Sequence, residues 1–299
     1  MDLPFFICLA LLSFFIIKYS ICFLPKTGQK LIIDNQFKKP QAFHKVPLPR
    51  SGGIGIFLSF FIIFLYFYYV KNFSSLDYLS FLFLFFFLGI MDDIKINFNP
   101  QIRLLLMFIF LIGLIITNNF YIKYTGIELL NNAIETSLFF SIIFVSLCFL
   151  FIVNGANLID GYNGLLTIHS LIILSILFLI NFTNNNLDLA YILLAMILVL
   201  IIFLSFNFPI AKMFLGDSGA YFLGCFLAIS VIKTSIALPL ISPFFFCIIL
   251  FYLFIEVFFS FFRKLIFEKK NPLMPDKKHL HMIIYRKIFS LQKNKIKSN

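Results

Sequence analysis

Charge is scarce in this 299-residue chain: Asp, Glu, Lys and Arg together make up 12% of it, about half the share of a soluble domain. Hydrophobic residues make up 61%, so water is not the main solvent of this protein. Paired cysteines are missing too. Cys8, Cys22, Cys148, Cys225 and Cys247 stand singly inside apolar runs, which argues against a disulfide framework or a zinc cluster and leaves small buried hydrophobes. Internal repeats, low-complexity linkers and long polar stretches are also lacking. That excludes a soluble catalytic module, so residues 1–299 read as one integral-membrane domain whose chemistry must take place at the membrane surface. What is abundant is Phe, 46 residues of it, doing the work that Leu does elsewhere.

A bilayer core needs roughly 20 apolar residues per helix, because lipid offers no partners to backbone polar groups. The pattern predicts an all-α, polytopic bundle of about nine spans, near 3–24, 52–70, 78–91, 104–117, 137–153, 164–181, 189–206, 218–232 and 236–261. The first run has no basic residue before it and no small-x-small site after it, so it is expected to remain a helix rather than a cleaved signal. Lys and Arg then set the orientation. Twenty of them fall in the connections after alternate spans and in the tail from Arg263, against three (Lys71, Lys123, Lys233) on the other side. Basic residues stay in the cytoplasm, which predicts an outer N-terminus and an inner tail. The net charge of +11 is then a tail lying against anionic headgroups, with no aromatic-basic pattern for nucleic acid. Catalytic loops are expected on the inner face, near 25–51, 92–103, 154–163, 207–217 and 262–299.

The unusual polar residues gather on that face. Asp92 and Asp93 follow Gly89-Ile90-Met91 at the C-terminus of a helix, where the macrodipole disfavours two adjacent carboxylates. Lys95, a metal ion or both should compensate them, and acids at that depth are functional by default. Asn154 to Gly164 places Asn154, Asn157, Asp160 and Asn163 among three glycines, more capping residues than one helix start requires, which favours ligand contacts. Phe214-Leu215-Gly216-Asp217-Ser218-Gly219 puts a carboxylate at a helix start, where phosphates can approach and Mg²⁺ needs only one or two protein oxygens. Asn207 opens this block. His279 and His281 face one way in an extended segment and diverge on a helix. Zinc would want a closed set of N and S ligands, and no Cys is near. His169 reads as a packed core residue, and His44 beside Lys45 is open. Asp77, Glu128, Glu135 and Asp188, on the outer side, read as solvated loop charges.

Taken in order, these blocks resemble the polyprenyl-phosphate N-acetylhexosamine-1-phosphate transferase family, which is glycosyltransferase family 4-like and related to the phospho-N-acetylmuramoyl-pentapeptide transferases. Pro47-Leu48-Pro49-Arg50-Ser51-Gly52-Gly53 resembles that family's Pro-Thr-Pro-Arg-Gly-Gly-Gly, and Asp92-Asp93 its acidic pair. Asn154 to Gly164 resembles its Asn-x-x-Asn-x-x-Asp-Gly loop, Asn207 to Gly219 its Asn-x-Pro…Gly-Asp-Ser-Gly block, and Pro275 to His281 its Pro-Asp-Arg-x-His-Leu-His-His segment. Leu48, Ser51, Ala220 and Met282 depart from the pattern. The resemblance implies an enzyme of a bacterial cytoplasmic membrane that starts a cell-envelope glycan such as O-antigen or capsule. It would join a UDP-N-acetylhexosamine to polyprenyl phosphate and release UMP. On that basis Asp217 and Asn157 would hold Mg²⁺, with Mn²⁺ as a substitute, and Asp92 or Asp93 would take the proton from the lipid phosphate. Asp160, Asn163, Asn207 and Phe214 would border the nucleotide, and Asn154 would bind substrate. His279 and His281 would contact phosphate, with His281 in the catalytic set, and Lys45, Arg50 and Lys95 would supply positive charge. The muramoyl-pentapeptide branch ranks second. A transporter would need charges near the midplane and inverted halves, and neither is visible apart from Lys18 and Glu256 near inner helix ends. Nothing in the sequence sets an oligomeric state.

Overall fold

A computed structural model describes residues 3–23, 33–34, 47–72, 76–94, 99–122, 124–269, 271 and 278–292. Apolar runs long enough to cross a bilayer become helices: α1 (Leu3–Phe23), α2 (Gly52–Lys71), α3 (Leu76–Asp93) and α4 (Pro100–Asn118) come first. A short helix, α5 (Glu128–Thr136), then precedes α6 (Leu138–Ile159), α7 (Leu165–Thr183), α8 (Leu187–Asn207) and α9 (Gly216–Ala237). The chain ends in α10 (Pro243–Ile249), α11 (Phe251–Phe262), a π-helical turn Arg263–Phe267 and α12 (Leu280–Gln292). Between α1 and α2, two-residue strands β1 (Ile33–Asp34) and β2 (Leu48–Pro49) pair antiparallel.

Among the described residues, seven helices are long and apolar enough to cross a membrane, or up to eight if α10 and α11 form one bent span. The protein is therefore a polytopic helical membrane protein. α3 is 18 residues long, about 27 Å at 1.5 Å per residue, and differs from the others in carrying Asp77, Asp92 and Asp93 at its two ends.

Two sequence expectations are corrected. The single span over 236–261 is divided. Pro239 and Pro243 interrupt it, Pro243 opens α10 at a position where its missing N–H costs nothing, and α10 meets the next helix at 70°. The loop expected from Asn154 is helical through Ile159, because the Asn154 Nδ2 donates back to the Leu150 carbonyl at 2.8 Å instead of competing with the ladder. Two cysteines also depart from the buried expectation: Cys8 and Cys247 are exposed, whereas Cys225 is buried.

α9 is the hub. It packs against α3, α6, α2 and α7, and 17 of its 22 residues are buried. Phe side chains fill the α2–α3–α9 seam: Phe57 stacks on Phe86 with centroids 3.8 Å apart and meets Phe222 edge-on, and Phe60 meets Phe226 in the same way. Small residues let the backbones touch where the site forms. A Cβ at Gly89 would run into the Ser218 backbone, so only glycine brings the end of α3 against the start of α9.

Candidate active site

The start of α9 is where the predicted acids meet. Gly216 takes a left-handed φ of +79°, which lets the chain turn into α9. A Cβ there would lie 2.7 Å from the Asp93 Oδ2. Freed of that clash, Asp93 caps the helix: its Oδ1 accepts the Asp217 N–H and its Oδ2 the Ser218 N–H, both at 2.9 Å. Two first-turn amides that would otherwise have no acceptor are thus satisfied by a residue 124 positions away in sequence.

The neighbouring Asp92 is held differently. Its Oδ2 accepts from Arg103 at 2.6 Å and from the Tyr221 hydroxyl at 3.2 Å. Tyr221 in turn accepts from the Asn157 Nδ2 at 3.2 Å, which ties α3, α4, α6 and α9 together in one polar chain. Arg50 stands on the other flank. It binds Asp34 at 2.7 Å and lies 3.8 Å from Asp93 and 3.7 Å from Asp217. The segment carrying it is strapped to the α8–α9 connection by Phe214 N–H to Pro49 O, Gly52 N–H to Phe214 O and Gly53 N–H to Leu215 O, at 2.8, 3.0 and 2.7 Å.

Asp160 sits just past α6. Burial pushes its carboxyl well above the usual carboxylate range, and the negative charges of Asp217 and Asp93 add to the rise while Arg50 opposes it. Those mutual influences put Asp160 within electrostatic reach of the α9 start. Asn207 joins two turns: its Oδ1 accepts Gly164 N–H at 2.6 Å and its Nδ2 donates to Met213 O at 2.9 Å. The Asn163 Nδ2 donates to Pro209 O at 3.1 Å. Asn207 and Asn163 therefore hold the floor of the site through backbone contacts.

The histidines arrive from α12. His279 and His281 are both buried, their rings parallel within 8° and 5.6 Å apart. Instead of diverging, they share one carboxylate, because His279 precedes the helix and His281 lies in its first turn. His279 Nδ1 is 2.9 Å from Glu256 Oε2, and His281 Nδ1 is 3.6 Å from Oε1. The Nε2 atom of His281 lies beside Gly161, the residue after Asp160. His169 is partly buried, with its ring edge-on to Tyr252.

Asp92, Asp93, Asp160, Asp217, Asn157 and Arg50 are thus brought together, with His281 at the adjoining turn. Lys45 and Lys95 lie outside the described residues, as do Pro275, Asp276 and Lys277. Asn154 is set back, bonded to its own helix. Arg103, Tyr221, Asp34 and Glu256 join the site without having been singled out for it. Tyr221 had a legible signal, one helical turn after Asp217 on the same face, and Glu256 was an acid inside an apolar span. Asp77 is corrected as well: it is no solvated loop charge but opens α3 in a 2.6 Å ion pair with Lys233. Glu128, Glu135 and Asp188 are exposed.

Comparison with known proteins bears on what this arrangement belongs to. Residues 75–235, which span α3 through most of α9 and so include Asp92, Asp93, Asp160 and Asp217, match the model of glycosyl transferase family 4. The undecaprenyl-phosphate alpha-N-acetylglucosaminyl 1-phosphate transferase of Thermotoga maritima is 30% identical over 282 residues, covering 93% of this chain and 80% of the relative. The phospho-N-acetylmuramoyl-pentapeptide-transferase of Dictyoglomus turgidum is 35% identical over 267 residues, covering 85% and 83%. That of Dictyoglomus thermophilum is 32% identical over 260 residues, covering 83% and 80%. Since these matches run through the acidic site and nearly the whole helical frame, the chain belongs to glycosyl transferase family 4.

Proposed function

We propose that this protein transfers N-acetylhexosamine-1-phosphate from a UDP-N-acetylhexosamine to undecaprenyl phosphate and releases UMP, as the first membrane step of a cell-envelope glycan in a bacterial cytoplasmic membrane. The observation that carries the proposal is the meeting of Asp92, Asp93 and Asp217 with Arg50 and Arg103 at the glycine-opened start of α9. Such a site suits phosphates that repel one another, because phosphoryl transfer is mostly positioning and charge neutralisation. In this reading α3, the bent α10–α11 pair and the seven apolar helices are nine spans, with the N-terminus outside and the acidic site inside.

Among the described residues no three His, Cys, Asp or Glu side chains form a metal cage. That does not suit a closed zinc site, and it fits Mg²⁺, which keeps waters and takes substrate phosphates beside one or two protein oxygens. Asp217, with 28% of its side chain exposed, and Asn157 would hold it, with Mn²⁺ able to replace it. When bound, the ion would neutralise charge on the diphosphate. Asp93 spends both oxygens on α9 amides, whereas among the described residues the donors to Asp92 share Oδ2 alone. Asp92 is therefore the better acceptor for the lipid phosphate's proton. Arg50, Lys45 and Lys95 would draw the anionic substrates. Asp160, Asn163, Asn207 and Phe214 would border the nucleotide, and His279 and His281 would meet phosphate.

A second reading, transfer of phospho-N-acetylmuramoyl-pentapeptide, is favoured by the 35% identity to the Dictyoglomus turgidum enzyme. The His279-Leu280-His281 wording favours the hexosamine reading. Radiolabelled UDP-GlcNAc, UDP-GalNAc and UDP-MurNAc-pentapeptide, given to purified protein with undecaprenyl phosphate and Mg²⁺, separate the two. UMP release with label in an extractable lipid is expected from an N-acetylhexosamine donor. Label entering lipid only from the pentapeptide donor would reverse the ranking, and no transfer from any donor would end both. Full activity in Asp217→Asn would remove the metal assignment.

A further inference from the structure

Glu256 is an acid inside an apolar helix, only 3% exposed, and no step above uses it. Both of its oxygens point at the start of α12: Oε1 accepts the Leu280 N–H at 3.0 Å and Oε2 faces His279 Nδ1 at 2.9 Å. Capping α12 needs one acceptor, which a neutral side chain supplies without the cost of burying a charge. The second oxygen is spent on an imidazole. An ionised carboxylate only accepts, so a Glu256 anion places a proton on His279 Nδ1. His281 lines up beside it, its Nδ1 3.3 Å from the Tyr252 hydroxyl and 3.6 Å from Glu256. Its other nitrogen, Nε2, is buried with no hydrogen-bond partner among the described residues, in a side chain only 5% exposed, and it borders Gly161 at the edge of the acidic site. An unsatisfied buried nitrogen costs stability unless something occupies the space beside it.

We propose that Glu256 is a positioning residue of the transferase site. It fixes which nitrogen of His279 bears the proton, and through the α12 start it holds His281 with Nε2 aimed at the substrate phosphate. This rests on the reading above, in which the two imidazoles meet phosphate. Glu256 touches no substrate itself.

The test uses the full chain, labelled with ¹⁵N-histidine and held in nanodiscs. The chain has four histidines, and the His279 signals are assigned by their loss in His279→Gln. Wild-type protein should show His279 with its proton on Nδ1. In Glu256→Gln the carboxamide can accept from only one of the two donors, so the His279 proton should move to Nε2. UMP release should fall about 10- to 100-fold in kcat, by analogy with partners that orient metal-bound histidines, with a smaller change in KM and partial recovery in Glu256→Asp. A wild-type His279 protonated on Nε2 alone overturns the proposal, and so does folded Glu256→Gln with wild-type kcat. If Glu256→Gln does not fold, the wild-type spectrum and Glu256→Asp decide. If the wild type releases no UMP from any donor the transferase reading falls, while the spectrum still reports whether Glu256 sets the ring.

Discussion

The antiparallel pair α3 and α9 carries carboxylates at both of its ends, and the two ends treat them in opposite ways. At one end Asp77 pairs with Lys233, whose ammonium also lies over the Tyr78 ring at 5.4 Å. Around them Tyr78 meets the Ser230 hydroxyl at 3.0 Å, and Asn181 donates to Thr234 at 2.9 Å. One acid answers one base, and the neighbouring polar groups satisfy each other. At the other end Asp92, Asp93, Asp160 and Asp217 face Arg50 and Arg103 among the described residues. Among the described residues acids outnumber bases where α9 begins, and buried acids in that number are expensive unless they serve something. The same two helices thus hold a structural end and a working end, and the balance of charge tells them apart.

The sharpest way to break this comparison is within the working end. Asp92→Asn removes the proposed proton acceptor and should lower kcat for UMP release by about 10²- to 10⁴-fold, the range of general-base contributions. Asp93→Asn should act on stability first. An amide cannot accept from both the Asp217 and the Ser218 N–H, so one buried donor is stranded at a cost of about 1–3 kcal/mol. Rate of UMP release and thermal unfolding, measured on both variants, separate the roles. Equal kcat losses with equal loss of stability would mean that the pair acts as one structural unit.

Legibility in the sequence follows the same division. The apolar runs were readable because the bilayer imposes a length on every spanning helix, and Asp92, Asp93 and Asp217 were readable because acids beside apolar runs are costly. The break at 238–242 has a signal in Pro239 and Pro243, but the 70° bend after it has none, since both sides of the bend are apolar. Asn154 misleads at the level of sequence, because a mid-helix Asn can bond its own backbone and remain helical. In the sequence Arg103 is only one of the twenty basic residues that orient the chain. Its partner lies on α3, and no local pattern predicts which helix a side chain will face. The convergence of His279 and His281 on Glu256 is of the same kind, linking residues 23 and 25 positions apart in sequence, which neither hydropathy nor periodicity foretells.

A smaller effect sharpens the cost of the working end. The Asp160 carboxyl is held above the usual range, so the native state keeps a proton that the unfolded chain has already released. Stability therefore falls as pH rises from about 4 through the raised value, and the full loss is present above it. Asp160→Asn cannot ionise and removes that fall. The variant should unfold at a higher temperature than wild type near neutral pH, with the gap closing toward about pH 4, while UMP release drops because the nucleotide border has changed. A gap that stays constant with pH would mean that the gain comes from packing rather than from charge.

The smallest effect is expected at the structural end. Lys233→Met leaves Asp77 without its partner, yet both side chains keep some exposure, 22% for Lys233 and 17% for Asp77. Ion pairs that water can still reach contribute about 1 kcal/mol or less, and salt weakens them. The variant should lose that much stability, mostly at low salt, and keep the wild-type kcat. The reason is mechanical: α9 is buried along most of its length, so a lost charge at its far end has no empty space to move into, and the acidic end stays registered by Asp93 and by the Gly89 contact. If kcat falls in Lys233→Met while the protein remains folded, the two ends are coupled through α9 and the division between them is wrong.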